Sequence, residues 1–262
     1  MKICITIDCE EWNSPALRGR EDKDHNSTTF SRLGNERLLE LFRKHNVKAT
    51  FFITGYYAEH EPEDVQRIAA EGHEIACHGY EHHYRGREFD VETDVRRGKE
   101  VLERISGVPV NGFRAPQAQY SERLLWALVK AGFMYDSSLH PAWLPGYYNH
   151  SALPLGIHHP LSEVKLKEIP VAVMPRSRLP VVWMFMRNIG VWYTQLAVEG
   201  LVKRGISPNV YFHSWEFTEM KSTNVPWYFT RRTGEKFLRM LEKFIVVNKE
   251  KEREFVKLDE IV

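Results

Sequence analysis

The sequence is poor in cysteine and has no excess of charge of either sign. Its three cysteines, Cys4, Cys9 and Cys77, are odd in number and show no CxxC spacing, which favours reduced thiols over a disulfide framework. Lys and Arg total 36 and Asp and Glu total 35, so the formal net charge is only +1. This balance gives no reason to expect a nucleic-acid partner or attraction to an anionic membrane surface.

Long hydrophobic runs are also missing. The most apolar run, PVVWMFM from Pro180, stops at Arg187 and is too short to span a bilayer, so we expect a core or interface segment there. The first residues enter a strand directly, without a basic region followed by an apolar one, and no signal peptide is visible. The sequence therefore predicts a cytoplasmic protein without a transmembrane segment, an expectation that still allows a substrate at the membrane surface. It leaves the oligomeric state open.

What the sequence does contain is a regular alternation of short apolar runs and amphipathic segments. The expected strands are residues 3–8, 49–55, 73–79, 110–114, 133–138, 168–171, 209–213 and 255–261. The expected helices are residues 35–45, 62–72, 91–105, 121–132 and 234–247. Strands that alternate with helices form a parallel sheet, and about eight of them favour an α/β barrel over an open sheet. No repeat or linker interrupts the pattern, so we expect one domain over residues 1–262.

The first expected strand ends in an unusual cluster of acids. The stretch ITIDCEEW places Asp8, Cys9, Glu10 and Glu11 side by side. Mutual repulsion and desolvation make such a cluster costly unless a cation or a reaction uses it. The alternative is a solvated strand end without a function.

Polar side chains also end several other expected strands. Among them are His78, Arg114, Asp136 and His213. Side chains that end different parallel strands of a barrel converge on one face, where such enzymes place their chemistry. The sequence therefore predicts a reactive site at the carboxyl end of the sheet.

The stretch HGYEH contains two histidines, His78 and His82, four positions apart. This spacing lets two imidazoles reach one metal ion, although a pair of surface histidines has the same pattern. With a carboxylate from the first strand, the pair becomes a site of two histidines and one carboxylate, with open positions for water and substrate. A second carboxylate is then available as a general base, and His213 is available to protonate a leaving group.

Five short motifs, in chain order, resemble those of the polysaccharide deacetylases, also called carbohydrate esterase family 4 or the NodB-homology domain. They are TIDCE, HGYEH, FRAP, YDSS and VYFH. The resemblance extends over most of the chain and implies a distorted (β/α) barrel of seven to eight parallel strands. It also implies a bound divalent metal, most often zinc, with cobalt, nickel or manganese as alternatives. Members of the family hydrolyse the N-acetyl, and sometimes the O-acetyl, groups of glycans.

The resemblance also implies roles for individual residues of the first three motifs. Asp8 matches the general base, and Arg114 matches the arginine that orients this base. His78 and His82 match the two metal-binding histidines.

The remaining implied residues surround the leaving group and the sugar. His213 matches the general acid, and Asp136 resembles the acid that tunes this histidine. The backbone N–H of Gln117 corresponds to an oxyanion donor. Gln117 itself replaces a tyrosine of the family motif. We expect the substrate to contact Tyr120, which is close to Gln117 in the sequence, and Trp215.

The third metal ligand is ambiguous because Cys9 occupies the position of the family's second aspartate. Some branches of the family use the acid one place later, which is Glu10 here. Strand alternation favours Glu10, since Asp8 and Glu10 share one side of the strand while Cys9 points to the other. Cys9 remains the alternative. Glu11 and Trp12 are expected to be ordinary rim residues.

The function implied is metal-dependent removal of an N-acetyl group from an amino sugar in a polysaccharide, oligosaccharide or lipid-linked glycan. One alternative is a related amidase that acts on a small amide, as the allantoinases do; its metal-independent members lack a complete metal triad. A second alternative is a non-catalytic glycan-binding module, which would be expected to lack the base or the acid. A fold by itself does not decide between these functions.

Overall fold

The computed structural model describes residues 1–16, 19–20, 23–83, 88–145 and 148–262. The strands are β1 Lys2–Cys9, β2 Thr50–Ile53, β3 Glu74–Cys77, β4 Gly112–Phe113, β5 Tyr135–Asp136, β6 Trp143–Leu144, β7 Tyr148–Asn149, β8 Lys167–Glu168, β9 Asn209–His213 and β10 Glu254–Val256. The helices are α1 Thr29–Lys44, α2 Gly55–His60, α3 Pro62–Ala70, α4 Val91–Ser106, α5 Glu122–Lys130, α6 Trp183–Ile189, α7 Val191–Val202, α8 Trp227–Thr230 and α9 Glu235–Lys249. None of the helices in these ranges is long and apolar enough to cross a membrane.

Eight of the strands form one parallel sheet that curls into a barrel-like layer. Its order is β10-β1-β2-β3-β4-β5-β8, and β9 also pairs with β1. The long strand β1 is the centre of the sheet, since it pairs in parallel with β2, β9 and β10. The predicted fold, a distorted α/β barrel of seven to eight parallel strands, is confirmed. A short antiparallel pair, β6 and β7, lies apart from this sheet.

The outer face of the sheet lies in an apolar layer under the helices, whereas the inner face carries polar groups as well as a smaller apolar cluster. Ile3, Ile5 and Ile7 of β1 belong to the large core between the sheet and the helices. The alternate residues Thr6 and Asp8 are equally buried but hydrogen-bond to polar groups of other strands on the inner side. This period of two is what a strand covered on both faces requires.

Local signals start and end several helices as the sequence predicts. Ser121 caps α5 by accepting a hydrogen bond from the backbone N–H of Leu124 at 3.2 Å. Pro62 lies in the first turn of α3. Gly107 follows α4 with a φ of 71°, a left-handed conformation that glycine adopts without the steric cost of a Cβ.

The main difference from the sequence prediction lies between β8 and β9. The apolar run from Pro180 is the start of α6, which a single glycine, Gly190, separates from α7. Trp183 and Met186 of α6 are buried, so the expectation of a core segment is confirmed. Neither helix was predicted, because an apolar run without a clear period does not distinguish a buried helix from a strand.

Candidate functional site

The carboxyl ends of the strands surround a cavity of about 370 Å³. Its polar lining comes from β1, β9 and the loops after β3 and β4, and includes Asp8, Glu10, His78, His82, Arg114 and His213. Its apolar wall comes largely from α6, α8 and the segment after β9, and includes Trp183, Trp215 and Phe229. The predicted convergence of polar side chains at one end of the sheet is confirmed for His78, Arg114 and His213, whereas Asp136 does not line this cavity.

Three of these side chains form a compact group. Glu10 Oε2 lies 3.0 Å from His82 Nε2 and 3.4 Å from His78 Nε2. The three residues are buried, and their potential ligand atoms all lie within 4.8 Å of one another. Burial by itself raises the pKa of Glu10, but the adjacent His82 and His78 outweigh burial and hold this pKa well below its usual value.

The group fits a divalent metal ion in its chemistry as well as its spacing. His78 Nδ1 lies 2.7 Å from the backbone carbonyl oxygen of Arg114, to which it donates, so that Nε2 is the ring nitrogen available to an ion. Glu10 Oε2 is buried and accepts no hydrogen bond from the described residues. Two imidazole nitrogens and one carboxylate oxygen are a common ligand set for catalytic zinc.

The structure favours Glu10 over Cys9 as the third candidate metal ligand beside the two histidines. Cys9 lies on the outer face of β1, fully buried, where Asn35 of α1 donates a hydrogen bond to its Sγ at 3.2 Å. Burial raises the pKa of this thiol far above its usual value, which keeps it protonated. A protonated thiol on the far side of the strand is not positioned to bind an ion beside His78.

The next pair in the cavity is Asp8 and Arg114. Asp8 Oδ1 accepts a hydrogen bond from Arg114 Nη1 at 2.7 Å, and both side chains are almost completely buried. Arg114 is itself fixed, because it also donates to Thr6 Oγ1 at 2.9 Å and to Ser137 Oγ at 3.0 Å. A buried guanidinium held by this many acceptors fixes the orientation of the carboxylate.

His213 faces Glu10 from the opposite side of the cavity, with Nε2 at 3.9 Å from Glu10 Oε1. Its Nδ1 lies 3.3 Å from Glu216 Oε1. Burial opposes a charge on His213, but the hydrogen bond to Glu216 and the carboxylates of Glu10 and Asp8 outweigh burial and raise its pKa above the usual value. The carboxylate beside this histidine is therefore Glu216.

The prediction that Asp136 is the partner of His213 is wrong. Asp136 accepts a hydrogen bond from Ser138 Oγ at 2.5 Å and shares a hydrogen bond with the carboxyl group of Glu168, and both carboxyl groups are fully buried. The reason is strand alternation. Tyr135 and Ser137 point to the inner side, where they reach Glu74 and Arg114, and Asp136 between them points to the outer side.

Comparison with known proteins agrees with the sequence motifs. Residues 23–135 match the model of a protein family described as polysaccharide deacetylase. The resemblance to the polysaccharide deacetylase family is confirmed. A relative from Helicobacter pylori, named peptidoglycan deacetylase, is 35% identical over 118 residues, which cover 44% of this chain and 40% of the relative. The chain thus matches less than half the length of that relative.

Two solved structures show that the deacetylase fold extends over nearly the whole chain. A Mycobacterium smegmatis protein named for this family has a TM-score of 0.70 at 23% identity, covering 99% of this chain and 88% of the other. Puue allantoinase has a TM-score of 0.72 at 16% identity, with coverage of 99% and 88%. Identities this low show the fold alone, so the reaction has to be argued from the site.

The two residues expected from the third deacetylase motif to contact substrate lie in different cavities. Gln117 lines the cavity at the carboxyl ends of the strands, with a φ of 55° that is unusual for a residue with a side chain. Tyr120 instead lines a neighbouring cavity of about 410 Å³, beside His150 and Phe113. The short segment Pro116–Ala118 contributes to the walls of both.

Trp215 lines the same cavity as Glu10, to which it also donates a hydrogen bond. Its indole N–H donates to Glu10 Oε1 at 3.3 Å, and its ring packs edge-on against Trp12 at 5.1 Å between centroids. Trp12 is only 2% exposed, so the prediction that it is a rim residue is wrong.

Glu11 is also not a rim residue, since it is 4% exposed. Its carboxylate accepts hydrogen bonds from the backbone N–H of His82 at 3.0 Å and from Thr54 Oγ1 at 2.8 Å. The side chain of Asn13 donates to the backbone carbonyl of His82 at 3.2 Å. The segment that follows the first deacetylase motif therefore holds the backbone of His82, in the second motif. These contacts join residues that are far apart in the sequence, so the sequence does not reveal them.

Proposed function

We propose that this protein is a metal-dependent deacetylase that hydrolyses the N-acetyl group of an amino sugar in a polysaccharide, oligosaccharide or lipid-linked glycan. The observation that carries the proposal is the arrangement of three functional groups around one cavity. Glu10, His78 and His82 form a possible metal site, Asp8 with Arg114 lies beside it, and His213 faces it.

The proposed metal ligands are Glu10, His78 and His82. We infer zinc as the first choice, because two imidazoles and one carboxylate suit this ion, with cobalt, nickel or manganese as alternatives. When bound, such an ion supplies Lewis acidity toward the amide carbonyl and toward water.

Asp8 is the proposed general base. It accepts the proton of the attacking water, and the hydrogen bond from Arg114 at 2.7 Å fixes the orientation of its carboxylate. Glu10 is not available for this task because it is assigned to the ion. The two carboxylates on the inner side of β1 therefore have different roles.

His213 is the proposed general acid. Its Nε2 faces the cavity and is placed to donate a proton to the departing amine nitrogen, which otherwise leaves as a poor, basic group. The backbone N–H of Gln117 is the proposed donor to the oxyanion that forms at the acetyl carbonyl. Trp183 and Trp215 belong to the apolar wall of the cavity against which the substrate would lie.

The relative from Helicobacter pylori supports an N-acetylated glycan as substrate, since it is named peptidoglycan deacetylase. Action at a membrane surface on a lipid-linked glycan, and the cytoplasmic location expected from the sequence, remain parts of the proposal. The oligomeric state is left open.

A related amidase on a small amide is the second candidate, because the fold of Puue allantoinase superposes on this chain. The complete group of Glu10, His78 and His82 argues against a metal-independent member of that class. A non-catalytic glycan-binding module is not favoured, since Asp8, Arg114 and His213 all line the cavity.

The test is a screen of acetate release from N-acetylated glycans by the zinc-loaded protein, with allantoin ring opening measured in parallel. We expect acetate release from at least one glycan that contains an N-acetylated amino sugar, and none by the Asp8→Asn variant. Ring opening of allantoin without acetate release would favour the amidase, and full activity after exhaustive chelation would contradict the metal mechanism. Binding of glycans without turnover would favour the non-catalytic module.

A further inference from the structure

The ring of His213 is held by a residue that follows it in the chain. Glu216 lies in the 3-10 turn Ser214–Phe217 directly after β9, and it is fully buried. One of its oxygens, Oε1, accepts a hydrogen bond from the backbone N–H of His213 at 2.9 Å and lies 3.3 Å from the ring Nδ1. The same oxygen thus fixes both the backbone and the imidazole of His213.

The other oxygen of Glu216 is paired with a buried cation. Glu216 Oε2 lies 3.1 Å from Arg187 Nε, and both side chains have no exposed surface. Arg187 Nη1 donates to the backbone carbonyls of Phe229 at 2.6 Å and of Arg231 at 2.9 Å, which anchors the guanidinium between α6 and the end of α8. A buried arginine and a buried carboxylate stabilise each other's charge, and neither is tolerated alone.

Aromatic rings fix the plane of the imidazole. Trp215 stacks on His213 with 5.1 Å between ring centroids and an interplanar angle of 27°. Trp183, one helical turn before Arg187 on α6, meets the ring edge-on at 5.2 Å and 88°. With the plane set by the tryptophans and Nδ1 directed to Glu216, Nε2 is left facing the cavity and Glu10.

We propose that Glu216, fixed by Arg187, is the positioning residue that holds His213 with Nδ1 protonated and Nε2 directed at the substrate. This inference rests on the proposed deacetylase function for its kinetic consequence, but the position of the proton on His213 can be observed without any turnover. It assigns to Glu216 the place that the family resemblance gives to Asp136, which points to the other side of the sheet.

The proposal also gives α6 a place in the active site. Arg187 and Trp183 both belong to this helix, one holding the carboxylate behind His213 and the other contacting its ring. A shift of α6 would therefore move the partner of the proposed acid and the cavity wall together.

The kinetic test compares Glu216→Gln, His213→Ala and the variant that carries both changes, each loaded with zinc. We expect Glu216→Gln to lower kcat roughly 10- to 100-fold, the usual effect of removing a histidine's orienting partner, while KM and metal content stay close to those of the parent. In the His213→Ala background the same change should have no further effect on kcat, because a positioning residue acts only through the histidine. Equal losses in both backgrounds would overturn the proposal.

Glu168→Gln is the matched control, since Glu168 is also a fully buried carboxyl but does not contact His213 among the described residues. It should leave kcat near that of the parent. Arg187→Lys keeps the positive charge but loses the planar guanidinium, and we expect it to lower kcat with the same unchanged KM.

A second measurement is independent of deacetylation. In the ¹⁵N spectrum of the histidine side chains, recorded at a pH high enough for the ring to be neutral, the signal lost in His213→Ala should have the shifts of a ring whose one remaining proton is on Nδ1. Glu216→Gln should change this pattern, whereas Glu168→Gln should not. A neutral parent ring with its one proton on Nε2 instead would overturn the proposal even if the Glu216→Gln chain failed to fold. A protein that releases no acetate but has the expected ring would contradict the proposed function alone.

Discussion

Two sets of buried carboxyl groups lie in the sheet of this protein, and the contrast between them locates the chemistry. Asp8 and Glu10 at the carboxyl end of β1 are each next to a cation or to imidazoles. Glu74, Asp136 and Glu168 are equally enclosed but lie beside neutral donors or one another. The five acids are similarly buried, but they differ in the neighbouring groups that offset the cost of burying a negative charge.

The compensation determines which acids stay charged. At the cavity, histidines hold the pKa of Glu10 well below its usual value in spite of burial. Away from it, burial raises the pKa of Glu74 to about 7, even though Thr50 and Tyr135 donate hydrogen bonds to its carboxylate. Burial likewise raises the pKa of Asp136, and burial together with the charge of Asp136 raises the pKa of Glu168 well above its usual value. Buried acids that remain ionised are therefore the ones that mark a site for a cation or for proton transfer.

The largest loss of activity is expected from removing His82, which is both a neighbour of Glu10 and a proposed metal ligand. His82→Ala removes one of three ligands and leaves Glu10 without its nearest imidazole. We expect loss of the bound ion and of acetate release to background, measured by metal analysis and turnover of the same sample. A variant that keeps both would exclude His82 from the site.

The next largest loss of activity is expected from removing the proposed proton donor or acceptor. His213→Ala should lower kcat by roughly 10²- to 10⁴-fold while metal content is unchanged, because the ring contributes a proton and not a ligand. Asp8→Asn should lower kcat at least as much, since no other carboxylate in the described part of the cavity is free to accept the proton. Turnover close to the parent value in either variant would contradict the assigned role.

Replacing Glu74, a buried acid with no cation beside it, should change the stability of the protein and not its activity. The unfolded Glu74 carboxyl titrates near 4.5, and the folded one near 7. Because the folded state binds this proton more tightly, the free energy of unfolding should fall as pH rises through this range, by roughly 3 kcal/mol in all. Glu74→Gln should remove that part of the fall, measured by urea unfolding at pH 5 and pH 8. An identical pH dependence in parent and variant would mean that Glu74 ionises normally in the folded protein.

The smallest effect is expected from Cys9→Ser. The thiol lies behind β1, in the outer apolar layer and beside Asn35, so the ion should be retained together with most of the activity. A stability loss of about 1 kcal/mol is the expected cost of a hydroxyl in this layer. Loss of the ion in this variant would restore Cys9 as the third ligand.

Much of this arrangement follows from the period of two in the strands. The bounds of β9, residues 209–213, and the choice of Glu10 over Cys9 for the inner side agree with the sequence prediction. Strand alternation does not place Asp136 from the sequence alone, because β5 has only two residues. Its inner side becomes clear only from the contacts of Tyr135 and Ser137. The pair of Arg187 and Glu216 depends on how α6 packs against the turn after β9, and no local pattern records that contact.

Glu10, and not the similarly buried Glu74, is the acid expected to belong to a metal site. The direct measurement is the divalent ion content per chain, after dialysis against zinc, of the parent, Glu10→Gln and Glu74→Gln, with a folded state verified for each. We expect about one tightly bound ion in the parent and in Glu74→Gln, and none in Glu10→Gln. An ion that stays bound in Glu10→Gln with parent-like affinity, or a parent that binds none, would contradict this expectation.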